Sequence, residues 1–192
     1  VPSIEKVIVI GDDGPVAEGQ LDYEKLLAAE TEHKAWPAVG ENDAAMICYT
    51  SGTTGNPKGV IYSHRSIVLH TLASCLTDTL GVSERDTIMP VVPMFHAAAW
   101  GLPFAAAMTG AKLVFPGPKL DPASLLDLMA AERVTLAAGV PTIWIGILAL
   151  LDQSPTKWDL SSVRTMLIGG AAAPPAMIDG FAKRHGLSVT HA

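Results

Sequence analysis

A chain of 192 residues with 19 acidic and 13 basic side chains has a net charge of −6 and no basic run, which gives nucleic acid or an anionic membrane surface little to hold. The length suits one domain, residues 1–192, with a sizeable core. Cys48 and Cys75 lie in apolar contexts without ligand spacing, so neither a disulfide framework nor a zinc site is expected, and reduced thiols fit a cytoplasmic setting.

In chain order, Val1 to Lys6 lacks the charged-then-apolar order of a secretory leader. Val7 to Ile10 reads as a strand closed by the turn Gly11–Pro15, and Asp22 as the cap of a short helix carrying Tyr23, Leu26 and Leu27. Residues 30–41, with His33 and Trp36, lack periodicity and read as a surface connection. Ala44–Tyr49 enters, and Val60–Tyr62 leaves, a run of turn residues as strands. Ser63 then caps a helix from His64 to Leu80 whose apolar face is Val68, Leu72, Cys75, Leu76 and Leu80. His64 and His70, six apart, point to different faces of that helix and read as solvated or capping residues.

The mean hydropathy of +0.33 is high, and the uncharged runs 87–111 and 134–151 are long enough to raise a bilayer span. Pro90, Pro93, His96 and Pro103 interrupt the first run and Gly139 and Pro141 the second, so each reads as buried strand, turn and buried helix. The elements expected are strands at Ile88–Val92, Lys112–Phe115, Thr135–Ala138, Thr165–Ile168 and Leu187–Thr190. Helices are expected at Leu102–Met108, from Asp121-Pro122 onward, at Ile143–Leu151 and at Pro174–His185, the last stopped by Gly186. Strand and helix alternate, which gives an α/β fold with a mainly parallel sheet covered by helices. An uncovered edge strand at Leu187–Thr190 is expected to invite pairing with another copy.

Three stretches carry chemistry. In Tyr49-Thr-Ser-Gly-Thr-Thr-Gly-Asn-Pro-Lys-Gly-Val60, the glycines allow close backbone approach to an anion, Thr50, Ser51, Thr53 and Thr54 add hydroxyl donors, and Lys58 adds a mobile charge. Composition alone equally describes a surface hairpin turn. A Walker A loop is excluded, because Lys58 follows Pro57 and precedes Gly59. Pro93-Met-Phe-His-Ala-Ala-Ala-Trp100 follows a buried strand, where open α/β sheets present ligand residues; His96 and Trp100 also fit a plain core. Ile168-Gly-Gly-Ala-Ala-Ala-Pro174 is a strand-to-helix turn of small residues whose spacing is not that of a dinucleotide fingerprint.

The first stretch closely resembles the signature loop of the adenylate-forming, AMP-binding superfamily of acyl-CoA synthetases, luciferases and peptide-synthetase adenylation domains. Pro-Met-Phe-His-x-x-x-Trp is similar to the second motif of the medium- and long-chain fatty acyl-CoA synthetases within it. The resemblance implies ATP-dependent formation of an acyl-adenylate from a fatty acid, with transfer to coenzyme A. It implies that Thr50, Ser51, Gly52, Thr53, Thr54, Gly55 and Lys58 hold the phosphates and that Thr50 lies at Mg²⁺. His96 would lie by the carboxylate and Trp100 at the mouth of the acyl tunnel, with Gly169, Gly170, Ala171, Ala172 and Ala173 by the adenine. The family's acidic Mg²⁺ motif, ribose-binding Asp and C-terminal lysine would fall after Ala192. The chain therefore reads as the central piece of a large adenylation domain, inactive by itself. Two other readings stand beside this one: a nucleotide-binding module without turnover, and an adenylation domain that loads a carrier protein.

Overall fold

The computed structural model describes residues 4–11, 16–31, 35–50 and 55–191, which fall into two compact units, Val1–Val39 and Gly40–Ala192. In the first unit β1 (Ile8–Val9) pairs in parallel with β2 (Leu21–Asp22). Helix α1 (Tyr23–Ala29) starts at the expected cap, where Asp22 Oδ1 accepts the backbone N–H of Glu24 at 2.9 Å and of Lys25 at 3.2 Å. Residues 12–15 of the expected turn, and His33, lie outside the described residues.

The second unit opens on an antiparallel hairpin, β3 (Ala44–Thr50) and β4 (Lys58–Ser63), which forms a two-stranded sheet of its own. Helix α2 (His64–Cys75) follows, with Ser63 Oγ accepting the N–H of Ser66 at 3.1 Å. The remaining strands, β5 (Thr87–Pro90), β6 (Lys112–Leu113), β7 (Leu136–Gly139), β8 (Thr165–Ile168) and β9 (Val189–His191), build one parallel sheet in the order β6-β5-β7-β8-β9. Between them run α3 (Ala97–Trp100), α4 (Leu102–Thr109), α5 (Pro122–Ala131), α6 (Pro141–Gln153) and α7 (Pro175–His185). Asp121 Oδ1 caps α5 through the N–H of Ser124 at 3.0 Å, with Pro122 at the first helical position. Gly186, at φ +66, ends α7.

β7 and β8 are buried at every residue, which is why they read as continuous apolar runs rather than alternating ones. Successive residues face opposite layers. Met89, Ala137, Met166 and Ile168 pack with α5, α6 and α7, whereas Ile88, Leu136, Ala138 and Leu167 pack with Leu102, Ala105 and Ala106 of α4. Beyond the printed strand ends the ladder continues locally, since Val91 N–H donates to Ala138 O at 2.7 Å and Val114 N–H to Ile88 O at 2.9 Å.

One expectation is corrected. Helix α2 ends at Cys75, not Leu80, and turns Thr71 and Ser74 inward while Val68, Leu72 and Leu76 remain exposed. Burying these hydroxyls costs little because each is satisfied within the helix. Thr71 Oγ1 donates to Ile67 O at 2.7 Å and Ser74 Oγ to His70 O at 3.0 Å. After Cys75 the chain turns, held by Thr79 Oγ1 donating to Leu76 O at 2.8 Å.

The amino ends of β5, β7 and β8 are clamped by a buried carboxylate. Asp86, 5% exposed, accepts from Arg164 Nε at 2.8 Å, from Thr135 Oγ1 at 2.6 Å and from the N–H of Ser83 at 2.9 Å. Burial alone would raise the Asp86 pKa, but the hydrogen bonds from Arg164, Thr135 and Ser83 prevail and hold it below the ordinary carboxylate value. From β5 the chain steps to β6 on one side and then crosses to β7 on the other, a reversal of strand order at whose carboxyl ends open α/β sheets usually bind ligands.

Candidate functional site

The segment leaving β5 starts at that reversal point. His96 is exposed and caps α3 through its backbone only, its carbonyl accepting the N–H of Ala99 at 3.1 Å. Next to it Phe95 stands 81% exposed. Strand β3 and this segment share a hollow of about 310 Å³ lined by Met46, Cys48, Tyr49, Met94 and Phe95, which sets the hairpin beside the second motif.

The four residues after His96 run against the usual hand. Ala97, Ala98, Ala99 and Trp100 have φ of 47, 48, 49 and 57°, and Gly101 continues at 75°. An L residue held in this left-handed region costs about 1–2 kcal/mol, so the turn stores a substantial fraction of a domain's net stability. Its surroundings hold it in place. Ala98 and Ala99 are buried. The Trp100 ring lies against Gly169, where a Cβ would stand 2.9 Å from its Cη2, and the His70 ring covers Gly101, where a Cβ would meet Nδ1 at 2.8 Å. A side chain at 169 would crowd the indole, and one at 101 would crowd the imidazole and sit on a left-handed backbone as well.

Two hollows adjoin this turn. One of about 430 Å³ is lined mostly by apolar groups, among them Met46, Tyr62, Ile67, Trp100 and Phe104. Another of about 440 Å³ is lined by Ser74, Asp78, Leu167 and His191 together with Trp100. Trp100 and His70 are the side chains the two hollows have in common. The size of each is that of a small-molecule site. His70 belongs to this arrangement although its sequence context marked it only as solvated or capping; it is exposed, and nothing in its spacing points to Gly101.

The structure places the remaining candidates in two groups. Thr50 and Lys58, both exposed, are register partners at the loop end of the hairpin, with Gly55 at φ +142 in the connection. Ser51, Gly52, Thr53 and Thr54 lie outside the described residues. No hydrogen bond among the described residues joins Thr50 or Lys58 to His96, and no cluster of three His, Cys, Asp or Glu side chains able to hold a metal occurs among them. The second group is the turn after β8. Gly169 is buried, Gly170 turns at φ +78, Ala171 and Ala172 are exposed, and Ala173 packs on the core. With nothing larger than a methyl group, this turn presents a smooth floor.

Trp144 fixes the floor from below. Its ring is fully buried, and Nε1 donates to Gly139 O at 3.0 Å and Leu167 O at 3.2 Å, tying the carboxyl ends of β7 and β8 together. A Cβ on Gly139 would lie 2.9 Å from the indole.

The family profile of AMP-binding enzymes matches residues 1–192. A medium-chain-fatty-acid–CoA ligase from Ectopseudomonas oleovorans is 47% identical over 196 residues, covering 100% of this chain and 36% of the relative. A long-chain-fatty-acid–CoA ligase from Thermus thermophilus is 46% identical over 187 residues, covering 97% and 33%. Among solved structures, an anthranilate CoA ligase in complex with anthranoyl-AMP superposes with a TM-score of 0.86 at 27% identity, covering 98% of this chain and 36% of that one. The chain therefore spans about a third of the length of the curated relatives it matches.

Proposed function

Since the chain belongs to the AMP-binding enzyme family, we propose that the full-length protein joins a fatty acid to ATP as an acyl-adenylate and passes the acyl group to coenzyme A. Relatives named as fatty-acid–CoA ligases support this reading. The observation that carries it is the meeting of Trp100 with Gly169 beside a largely apolar hollow, which brings an acyl-sized space to the turn assigned to the nucleotide.

In the first step a carboxylate oxygen attacks the α-phosphorus of ATP and the bond to the pyrophosphate oxygen breaks, so the protein's task is positioning and neutralising charge. Thr50, Ser51, Gly52, Thr53, Thr54, Gly55 and Lys58 hold the β- and γ-phosphates. Gly169 to Ala173 offer the adenine a flat floor without side chains to clash. His96 orients the carboxylate, and Trp100 bounds the acyl tail. The exposed Thr50 hydroxyl would serve as one oxygen ligand of Mg²⁺, together with a carboxylate. Bound there, Mg²⁺ supplies charge neutralisation at the phosphates. In the second step the coenzyme A thiol attacks the acyl carbon and AMP leaves. The proposed setting is the cytoplasm, and the 192-residue chain alone is proposed to bind nucleotide without turnover.

A shorter acid is the second reading. It is favoured by a 3-methylmercaptopropionyl-CoA ligase from Ruegeria lacuscaerulensis, 51% identical over 170 residues and covering 88% of this chain and 31% of the relative. ATP–pyrophosphate exchange by the full-length enzyme, across acids from propionic to hexadecanoic, separates the two. Addition of coenzyme A or a phosphopantetheinyl carrier protein then identifies the acceptor. Absence of acid-dependent exchange with every acid overturns the proposal.

A further inference from the structure

A further hollow, of about 370 Å³, lies at the amino ends of β8 and β9, where α6 and α7 end. Strand β8, four residues or about 13 Å long, stands between Val163 on its wall and the Gly169 turn, so it is separate from the site described above. Its floor is apolar: Leu151, Trp158, Val163 and Leu187 are each more than nine-tenths buried. Trp158 is pinned there, its Nε1 donating to Asp127 Oδ1 at 2.6 Å. The rim is polar. Asp152, in the last turn of α6, accepts from Arg184 Nε at 2.8 Å, Arg184 Nη2 at 2.9 Å and His185 Nε2 at 2.9 Å, which ties α6 to the end of α7.

His185 is the informative residue. Its side chain is only 7% exposed. The hydrogen bonds from Arg184 and His185 hold the Asp152 carboxyl below its ordinary value, so it is ionised and can only accept. The proton of the neutral imidazole therefore sits on Nε2, and Nδ1 is an acceptor. No donor among the described residues reaches Nδ1, and no enclosed side-chain nitrogen or oxygen among them lacks a partner. Nδ1 is thus open to free space, which for a side chain this covered is the hollow it lines.

Beside it, Arg184 gives two of its five N–H groups to Asp152, and the rest have no other acceptor among the described residues. A carboxylate here would stand beside Asp152 and an ammonium beside Arg184, so neither charge is favoured. The rim thus offers one acceptor and spare donors above an apolar floor that includes an indole. A hydroxyl answers both, because its O–H donates and its oxygen accepts, and a flat ring suits the indole. We propose that this hollow binds a small neutral phenol, its hydroxyl donating to His185 Nδ1 and accepting from Arg184, its ring lying on Trp158, Leu151, Val163 and Leu187. The inference is independent of the acyl-activating reading.

Titration calorimetry of the full-length protein with 4-ethylphenol tests it. 4-Ethylanisole, which keeps the ring but lacks the donor, should bind about fivefold more weakly. His185→Gln keeps an N–H for Asp152 in place of Nε2–H and removes the ring acceptor, so the Kd for 4-ethylphenol should rise about fivefold, as loss of one neutral hydrogen bond does, while the Kd for the ether holds. Trp100→Ala, across the sheet, should leave both values unchanged. Should the glutamine variant not fold, Ser161→Trp decides the case: at an exposed position on the same rim it should fill the hollow and abolish binding. Absence of phenol binding, equal affinity for phenol and ether, binding that survives Ser161→Trp, or an affinity that moves in Trp100→Ala but not in His185→Gln overturns the inference.

Discussion

Gly169→Ala introduces one methyl group at the point where the second and third motifs meet. The position carries no left-handed backbone, so the whole effect comes from space. The new Cβ would stand 2.9, 3.1 and 3.3 Å from Cη2, Cζ2 and Cζ3 of Trp100. Carbon atoms rest at about 3.5–4.0 Å, so the ring must retreat by roughly half an ångström or more. Overpacking costs about 1–3 kcal/mol, and because Trp100 is only half-buried beside hollows, the cost should fall near 1 kcal/mol. Denaturant unfolding of Gly169→Ala, Trp100→Ala and the double variant gives the coupling directly. Once the ring is gone the alanine should cost nothing, leaving an interaction of about 1 kcal/mol between the two sites. The KM for fatty acid should shift in Gly169→Ala. Strict additivity in the cycle would show that the indole does not lie across Gly169, and the site geometry would have to be redrawn.

Lys58→Ala in the full-length enzyme should slow pyrophosphate exchange on the order of 10²-fold or more, as loss of a charge-stabilising donor does; an unchanged rate removes Lys58 from the phosphate site. Trp100→Ala should alter chain-length preference across short and long acids while leaving the ATP KM nearly intact, and a preserved profile makes Trp100 plain core. Trp144→Phe leaves Gly139 O and Leu167 O without their shared donor and should destabilise by about 1–3 kcal/mol in denaturant unfolding. The Asp86 carboxyl is held below its ordinary value of 3.8 in the folded state, so its contribution is present above that pH and lost as pH falls through the folded-state pKa. Asp86→Asn should therefore lower stability at pH 7 and flatten the acid limb of the stability profile, and parallel acid limbs would refute the assignment.

Much of the fold was legible because its elements obey local rules. Asp22 and Asp121 are acceptors placed one residue before a helix, Pro122 sits where its missing N–H costs nothing, and Gly186 supplies the positive φ that stops α7. The uncharged runs read as strand and helix because prolines and glycines divide them at the sheet's carboxyl edge. Helix α2 was misread in its facing because periodicity registers side-chain polarity, whereas Thr71 and Ser74 spend their hydroxyls on their own helix and bury as small groups. The site was legible only as separate motifs. That Trp100 covers Gly169 and His70 covers Gly101 depends on pairings between residues 69 and 31 positions apart, and no local pattern encodes them. The left-handed turn was invisible for a related reason: three alanines and a tryptophan prefer the opposite hand, and only their surroundings decide otherwise.

Helix α2 packs on α4, and the residues they bury include Thr71 and Ser74 on one and Ala105 and Ala106 on the other. Thr71 and Ser74 are small buried groups that let α2 lie close on the body it packs against. Residues Ser66, Ile67 and His70 ride on the same helix and line the apolar hollow. The spacer and the wall are therefore one rigid rod. A leucine in place of the buried Thr71 would push that rod outward from a position no substrate touches. The width of the hollow is then set along the helix seam as well as by the residues that line it.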